Sequence, residues 1–268
     1  MDLGIKGKVA LITGGSSGIG FSTAHNMAQE GAHIFIIARS QENIERAKTR
    51  LENETGSKVS GMVADMGDNS QPAQIVNRCI RDFGRLDILI NNAGRAQVGG
   101  LLQTEPEQWQ SMVEVKLYAL VECCRAALPI MQENGWGRIV NISSVGGIYP
   151  TPKLMISHVV SAAINNLTKS LALEVAHNNV LVNAIGVGAV TTDNWKKNVI
   201  ANLRKQRPDW DSLSDEDMLD RLGKEKTPLG RFGKPEEIAR LATFLASEAN
   251  GFVTGATIEA SGGADRFI

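Results

Sequence analysis

Val9-Ala10-Leu11-Ile12-Thr13-Gly14-Gly15-Ser16-Ser17-Gly18-Ile19-Gly20 is the stretch that decides the fold. An apolar run enters a glycine turn, and an amphipathic run from Phe21 to Gln29 leaves it. Strand, glycine turn and helix form a cradle for a phosphate group. Gly14 permits the tight turn, Gly18 lets backbone approach a pyrophosphate, and Gly20 lets the helix lie flat on the strand. The free N–H groups at the helix start then face the anion. A glycine triplet alone is weak evidence, so the rest of the chain must carry the case.

Outward from that turn, strands and helices alternate. Strands are expected at Lys8 to Thr13, His33 to Ala38, Val59 to Val63, Leu86 to Asn91, Arg138 to Ser143, Val180 to Ile185 and Thr257 to Ala260. Helices are expected at Gly18 to Glu30, closed by Gly31, and at Gln41 to Asn53 and Ser70 to Phe83. Two long helices follow, Pro106 to Met131 and Met155 to Ala176, and a last one at Pro235 to Ser247. Asp193 to Lys226 is charged and helix-prone. Helical spacers of this length between strands predict an α/β, doubly wound Rossmann-type sandwich. It has one parallel sheet of about seven strands with helices on both faces. No composition break divides residues 1–268, which read as one domain.

Bulk properties exclude several classes. A net charge of −1 with no basic run argues against nucleic acid as a partner. No apolar segment is long enough to span a membrane. Met1 to Gly7 is polar and is not a signal peptide. Cys79, Cys123 and Cys124 are odd in number, which reads as free thiols in a cytoplasmic protein. His25, His33 and His177 make no ligand spacing, and no metal is assigned.

In such a sheet the ligand lies across the carboxyl ends of the strands. The residues to read there are Gly14 to Gly20, Arg39-Ser40, Asp65-Met66, Asn92-Ala93-Gly94, Ser143-Ser144 and Gly186 to Thr192. The second strand ends in Arg39, with no carboxylate to take ribose hydroxyls. A guanidinium there suits a 2′-phosphate, and Ser40 adds a hydroxyl, so NADP(H) is favoured over NAD(H). Asp65 suits the adenine amino group, or alternatively caps a helix, as does Asp68.

These motifs together resemble the short-chain dehydrogenase/reductase family. The resemblance rests on the Thr13–Gly20 pattern, Asn91-Asn92-Ala93-Gly94, Asn141-Ile142-Ser143-Ser144 and Val182-Asn183-Ala184-Ile185. It continues through Gly230-Arg231-Phe232-Gly233-Lys234-Pro235-Glu236-Glu237-Ile238-Ala239, Phe244-Leu245-Ala246-Ser247, Thr254-Gly255 and Gly262-Gly263. It implies hydride transfer between a nicotinamide cofactor and a carbonyl or alcohol. It adds Ser16, Ser17, Ile19, Val190 and Thr192 to the cofactor-binding residues. It also implies a homo-oligomer, tetramer or dimer.

The family's proton chemistry uses a serine on the substrate oxygen, a tyrosine acid, a lysine four residues later and an asparagine on the preceding helix. Ser144 matches the serine. Ser157 stands at the tyrosine position, Ser161 at the lysine position and Lys116 at the asparagine position. Val187-Gly188 replaces the family's Pro-Gly. Ser157 and Ser161 share a helix face and could hold a water where the phenol and ammonium belong. The Lys116 ammonium could instead reach the place that the 155–176 helix leaves empty, or Lys116 could snorkel at a subunit interface. The catalytic candidates are therefore Ser144, Ser157, Ser161 and Lys116. Tyr149 and Lys153 satisfy a bare Tyr-x3-Lys spacing, but Pro150 and Pro152 oppose a helix there. His158 follows Ser157 directly and points about 100° away, which disfavours a Ser–His pair.

The segment 193–226 occupies the family's substrate lid. Its apolar residues Trp195, Val199, Leu203, Trp210, Leu213, Met218 and Leu222 either pack on the body or cover a medium to large, partly apolar small-molecule substrate. Three readings stand. The first is an oxidoreductase with altered proton chemistry. The second is a lyase or isomerase on the same scaffold, and the third a catalytically silent nucleotide-binding subunit or regulator.

Overall fold

The computed structural model describes residues 2–264, and of Asn194 only the backbone. The 1–268 domain expectation therefore runs past the described residues at both ends. Seven parallel strands form one sheet in the order β3-β2-β1-β4-β5-β6-β7. They are β1 Val9–Thr13, β2 His33–Ala38, β3 Val59–Val63, β4 Ile88–Asn91, β5 Gly137–Ser144, β6 Val180–Val187 and β7 Thr257–Ala260. The order reverses between β1 and β4. That switch point opens a crevice at the carboxyl ends, where β1 delivers its glycine turn.

Helices cover both faces. α1 Gly18–Gln29, α2 Gln41–Thr55 and α9 Pro235–Leu245 close one core around Ile12, Ile34, Ile36 and Ile90. α3 Gln71–Phe83, α4 Pro106–Val113, α5 Ala119–Glu133 and α6 Met155–Val175 close the other around Leu11, Phe35, Leu89 and Ile139. Alternate residues of each central strand enter opposite cores, so these strands read as unbroken apolar runs.

One expectation needs correction, and a second gains detail. The helix expected over Pro106 to Met131 is not one α-helix. Glu114–Tyr118 forms a π turn between α4 and α5, with the Ala119 N–H reaching back to the Glu114 carbonyl. One extra residue in the turn re-aims the side chains within it, and Lys116 lies there. The Asp193–Lys226 segment is likewise three pieces: α7 Asp193–Gln206, a short turn Pro208–Trp210 and α8 Asp215–Lys226. Pro208 ends the first helix's pattern, and the Ser214 hydroxyl caps α8 by accepting from Asp217 N at 3.1 Å. Leu203, Trp210 and Met218 are buried together with Val199, Leu213 and Leu222 against them. Trp195 meets Phe232 edge to face at 4.8 Å. These apolar residues pack on one another, and Trp195 packs on Phe232.

Asp87 staples the sheet's amino end. Its buried carboxylate accepts from Val9 N at 2.8 Å and takes two bonds from Arg85, at 2.7 and 2.6 Å. Asp87→Ala strands the Val9 N–H, and chemical denaturation should read a loss of about 1–3 kcal/mol. An unchanged midpoint would show that the staple carries no stability.

Candidate functional site

The glycine turn and the turn after β4 are locked into one unit. Thr13 Oγ1 accepts from Asn92 N and Ala93 N, each at 3.0 Å. Asn92 Nδ2 donates to the carbonyls of Thr13 and Gly14 at 3.0 and 3.2 Å. Gly14 has φ +66°, in the left-handed region. A Cβ on Gly20 would lie 2.3 Å from Gly14 O, so only glycine lets α1 start against this turn. Gly18 lies beneath Thr192, whose Cγ2 would be 3.1 Å from a Cβ there. Ser17 is the α1 N-cap and makes no side-chain cap bond. The first-turn amides are left facing the crevice with Ser16, Ser17 and Ile19, which fits a diphosphate.

Arg39 is exposed at the end of β2 and, among the described residues, makes no hydrogen bond or ion pair. Ser40 Oγ caps α2 by accepting from Asn43 N at 3.4 Å, which leaves its own proton to donate. Asp65 caps its own turn at Gly67 N, at 2.9 Å, and does not cap α3. Asp68 accepts from the Ser70 hydroxyl at 2.7 Å, from Ser70 N and from Gln71 Nε2, bonds that hold its carboxyl below the usual carboxylate range. Met66 is buried in the core. Val190 is buried too and bridges Gly233 through backbone. Thr192 Oγ1 caps α7 at Trp195 N, 3.3 Å away.

On the chemistry side, Ser144 ends β5 half-buried, and its Oγ accepts from Gly146 N at 3.1 Å. Its proton remains available to a ligand oxygen. Ser157 differs from the expectation. Its Oγ accepts from Gln97 N at 2.8 Å and donates to Gln97 O at 3.4 Å, so both functions are spent on the loop after β4. Gly99 N donates to Lys153 O, and Met155 N to Gly99 O, which zips this loop onto the start of α6. Ser161 Oγ donates to Ser157 O at 2.8 Å. Its other partner is Lys116, with Nζ at 3.5 Å. A lysine from the π turn thus meets the second of the two serines.

The Lys116 stem crosses Gly94, where a Cβ would be 3.2 Å from Lys116 Cγ and Cε. Burial pushes its ammonium down to about 8. His158 is 6% exposed, and its Nδ1 accepts from Thr151 N at 3.0 Å. Burial and the Lys116 charge hold it below the usual imidazole value. Its ring fills the space where a Gly146 Cβ would stand. Tyr149 donates to Glu259 Oε1 at 3.4 Å, beside β7. Neither Tyr149 nor Lys153 lies in a helix, so the two share no helix face.

Sequence reasoning missed the π turn, the Gln97 clamp and the double use of the Thr13 hydroxyl. Thr13 directly before the turn is the one signal that pointed to the last. All three cysteines are free and buried, and burial pushes the Cys79 and Cys124 thiols up to about 12. Among the described residues no group of three metal-ligating side chains occurs, and no helix is long and apolar enough to cross a membrane.

A family model described as enoyl-(acyl carrier protein) reductase matches residues 14–265. A 3alpha-hydroxysteroid dehydrogenase of Mediterraneibacter gnavus is 35% identical over 261 residues, spanning 97% of this chain and 98% of that protein. The L-sorbose reductase of Gluconobacter frateurii, solved with NADPH and L-sorbose, superposes with a TM-score of 0.93 at 33% identity over 100% of both chains. An NADPH-bound short-chain oxidoreductase of Pseudomonas aeruginosa, described as containing an atypical catalytic center, gives 0.88 at 32% identity over 99% of each chain.

Proposed function

Because the chain belongs to the short-chain dehydrogenase/reductase family, we propose that it is an NADP(H)-linked oxidoreductase whose working ammonium comes from the wrong side of the family site. The observation that carries this reading is the 3.5 Å approach of Lys116 Nζ to Ser161 Oγ. Ser161 stands at the family's lysine position, and Lys116 reaches it from the facing helix. NADPH held in two similar structures supports the cofactor assignment.

Bound, the cofactor supplies or accepts a hydride. The α1 first-turn amides, Gly14, Gly18, Gly20 and the Ser16 and Ser17 hydroxyls hold its diphosphate. Arg39 and Ser40 take the 2′-phosphate, and Asp65 the adenine amino group. The Asn92-Ala93-Gly94 turn and the backbone of Met66, Val190 and Thr192 line the rest. Ser144 Oγ donates to the substrate oxygen. Lys116 binds the nicotinamide ribose and gives or takes the proton that the missing phenol would have moved. Residues 193–226 act as a lid of rigid helices with their own small core. Any apolar part of the substrate then meets the exposed Val98, Leu101 and Leu102. Exposed Tyr118, Val159 and Leu173 on the outer helices support association of two or more copies.

Arg39 gives the sharpest binding test. Arg39→Ala should raise the NADPH Kd about 10-fold to 100-fold, since a charge-assisted bond is worth about 1.5–3 kcal/mol. NADH affinity should stay put. Equal shifts for both nucleotides, or none, would remove Arg39 from cofactor choice.

One observation favours a second reading. With Ser157 spent on Gln97, the silent nucleotide-binding subunit needs no further change to be inert. Consumption of NADPH with any member of a carbonyl panel supports the enzyme. Tight NADPH binding with no turnover across that panel supports the silent subunit.

A further inference from the structure

Asn91 ends β4 at the floor of the site, and its amide has one defined orientation. Thr168 Oγ1 donates to Ile164 O at 2.8 Å, so it meets Asn141 Nδ2 as an acceptor, at 2.9 Å. Asn141 Oδ1 is then the acceptor for Asn91 Nδ2, also at 2.9 Å. The same nitrogen lies 3.5 Å from Cys124 Sγ. Turning the Asn91 amide over would set two acceptors against each other. The network therefore leaves Asn91 Oδ1 as a buried acceptor, and no donor among the described residues meets it. Asn91 is 5% exposed, so bulk water does not satisfy that oxygen.

Beside it lies a cavity of about 10 Å³, walled by Thr13, Met66, Asn91, Lys116, Ile142 and Ile164 among others. That is room for about one water, and a buried water is kept where polar groups converge on it. The Thr13 hydroxyl is already committed to Ile90 O and to two amides. Lys116 also lines the cavity, and it carries the remaining side-chain donor among the lining residues.

We infer that this cavity holds one structural water, which accepts from Lys116 Nζ and donates to Asn91 Oδ1. Asn91 is thereby a positioning residue that holds the Lys116 ammonium toward the site. The inference rests on the reading of Lys116 given above. The water stabilises the charged form against the burial that discharges it. The surrounding elements carry His158 on α6, Cys124 on α5, Asp65 after β3 and Glu114 in the π turn itself. Of these, His158 feels the Lys116 charge. Cys124 is held protonated by burial. Glu114 accepts from Gln110 Nε2 at 2.9 Å, and Asp65 is tied to Gly67 N.

NADPH affinity measured against pH tests this in the full chain. The wild type should lose affinity as Lys116 discharges, with a midpoint that vanishes in Lys116→Met. Asn91→Leu removes the water's acceptor and should move the midpoint down by roughly half a pH unit or more. Asn91→Asp keeps the shape, adds a negative charge, and should move it up; it also serves if the leucine variant does not fold. A purely structural Asn91 would weaken binding equally at every pH and leave the midpoint in place, which overturns the inference. A midpoint lost in Lys116→Met but fixed in both Asn91 variants leaves the Lys116 reading standing and sinks the water alone. A midpoint that survives Lys116→Met sinks both.

Discussion

Gly20→Ala should abolish nucleotide binding, with the NADPH Kd rising at least about 100-fold, close to 3 kcal/mol. The new Cβ would lie 2.3 Å from Gly14 O, 2.5 Å from Asn92 Nδ2 and 2.9 Å from Gly14 C. Two of those three atoms are backbone, so no flexible side-chain end can swing away. The turn itself must shift, and it is tied through Asn92 to the turn after β4. One added methyl thus displaces the α1 amides and the Asn92-Ala93-Gly94 wall together. A stability loss of about 1–3 kcal/mol accompanies this, as for other overpacked sites. Gly135→Ala is the control. Gly135 has φ +60° and nothing within 4 Å of a Cβ, so it should lose stability alone and bind NADPH normally. Calorimetric titration of both variants separates a collapsed cradle from a generally weakened protein. Normal NADPH affinity in folded Gly20→Ala would contradict the assignment of the cradle.

Lys116→Met should make the protein more stable and less active at once. Burial lowers the Lys116 pKa from 10.5 to about 8. Between those values the unfolded chain binds more protons than the folded one, so wild-type stability rises with pH across that window. Below about 8 the cost of holding the charge is fully present. Methionine fills similar space without it, so Tm should rise near neutral pH and the gain should fade toward alkaline pH. Turnover with any accepted carbonyl should fall by about 100-fold to 10,000-fold, the usual size of a positioned proton donor. A lysine kept for packing would give the reverse pair, a lower Tm and an unchanged rate. Thermal melts across pH, read beside NADPH consumption, decide between them.

The two long helices show what the residue pattern carries and what it hides. Seven strands and their parallel pairing follow from apolar runs separated by helical spacers, because both faces of the sheet are buried. The ends of those strands carried the cradle as well. Gly14, Gly18 and Gly20 each occupy a position where a Cβ is strained or crowded. The π turn at Glu114–Tyr118 left no such trace. An i to i+5 bond costs no glycine or proline, so Val113-Glu114-Val115-Lys116 reads as ordinary helix. The reach of Lys116 depends on that turn, and so does its meeting with Ser161. Ser157 was legible as a missing phenol. That its hydroxyl is clamped by Gln97 depends on a loop sixty residues away in sequence, whose path no local pattern sets. In 193–226 the apolar spacing was read correctly, but spacing cannot say whether a face meets substrate or its neighbour helix. Here the neighbour helix won, because α7 and α8 are long enough to bury each other's stripe.

If an ammonium from the π turn between α4 and α5 serves the nucleotide seat, its charge must matter to NADPH binding. NADPH affinity of wild type and Lys116→Met, compared between pH about 6 and about 10, tests it most directly. Wild-type binding should weaken through pH about 8, and Lys116→Met binding should be weaker at neutral pH and show no such transition. Two superimposable affinity curves would contradict it.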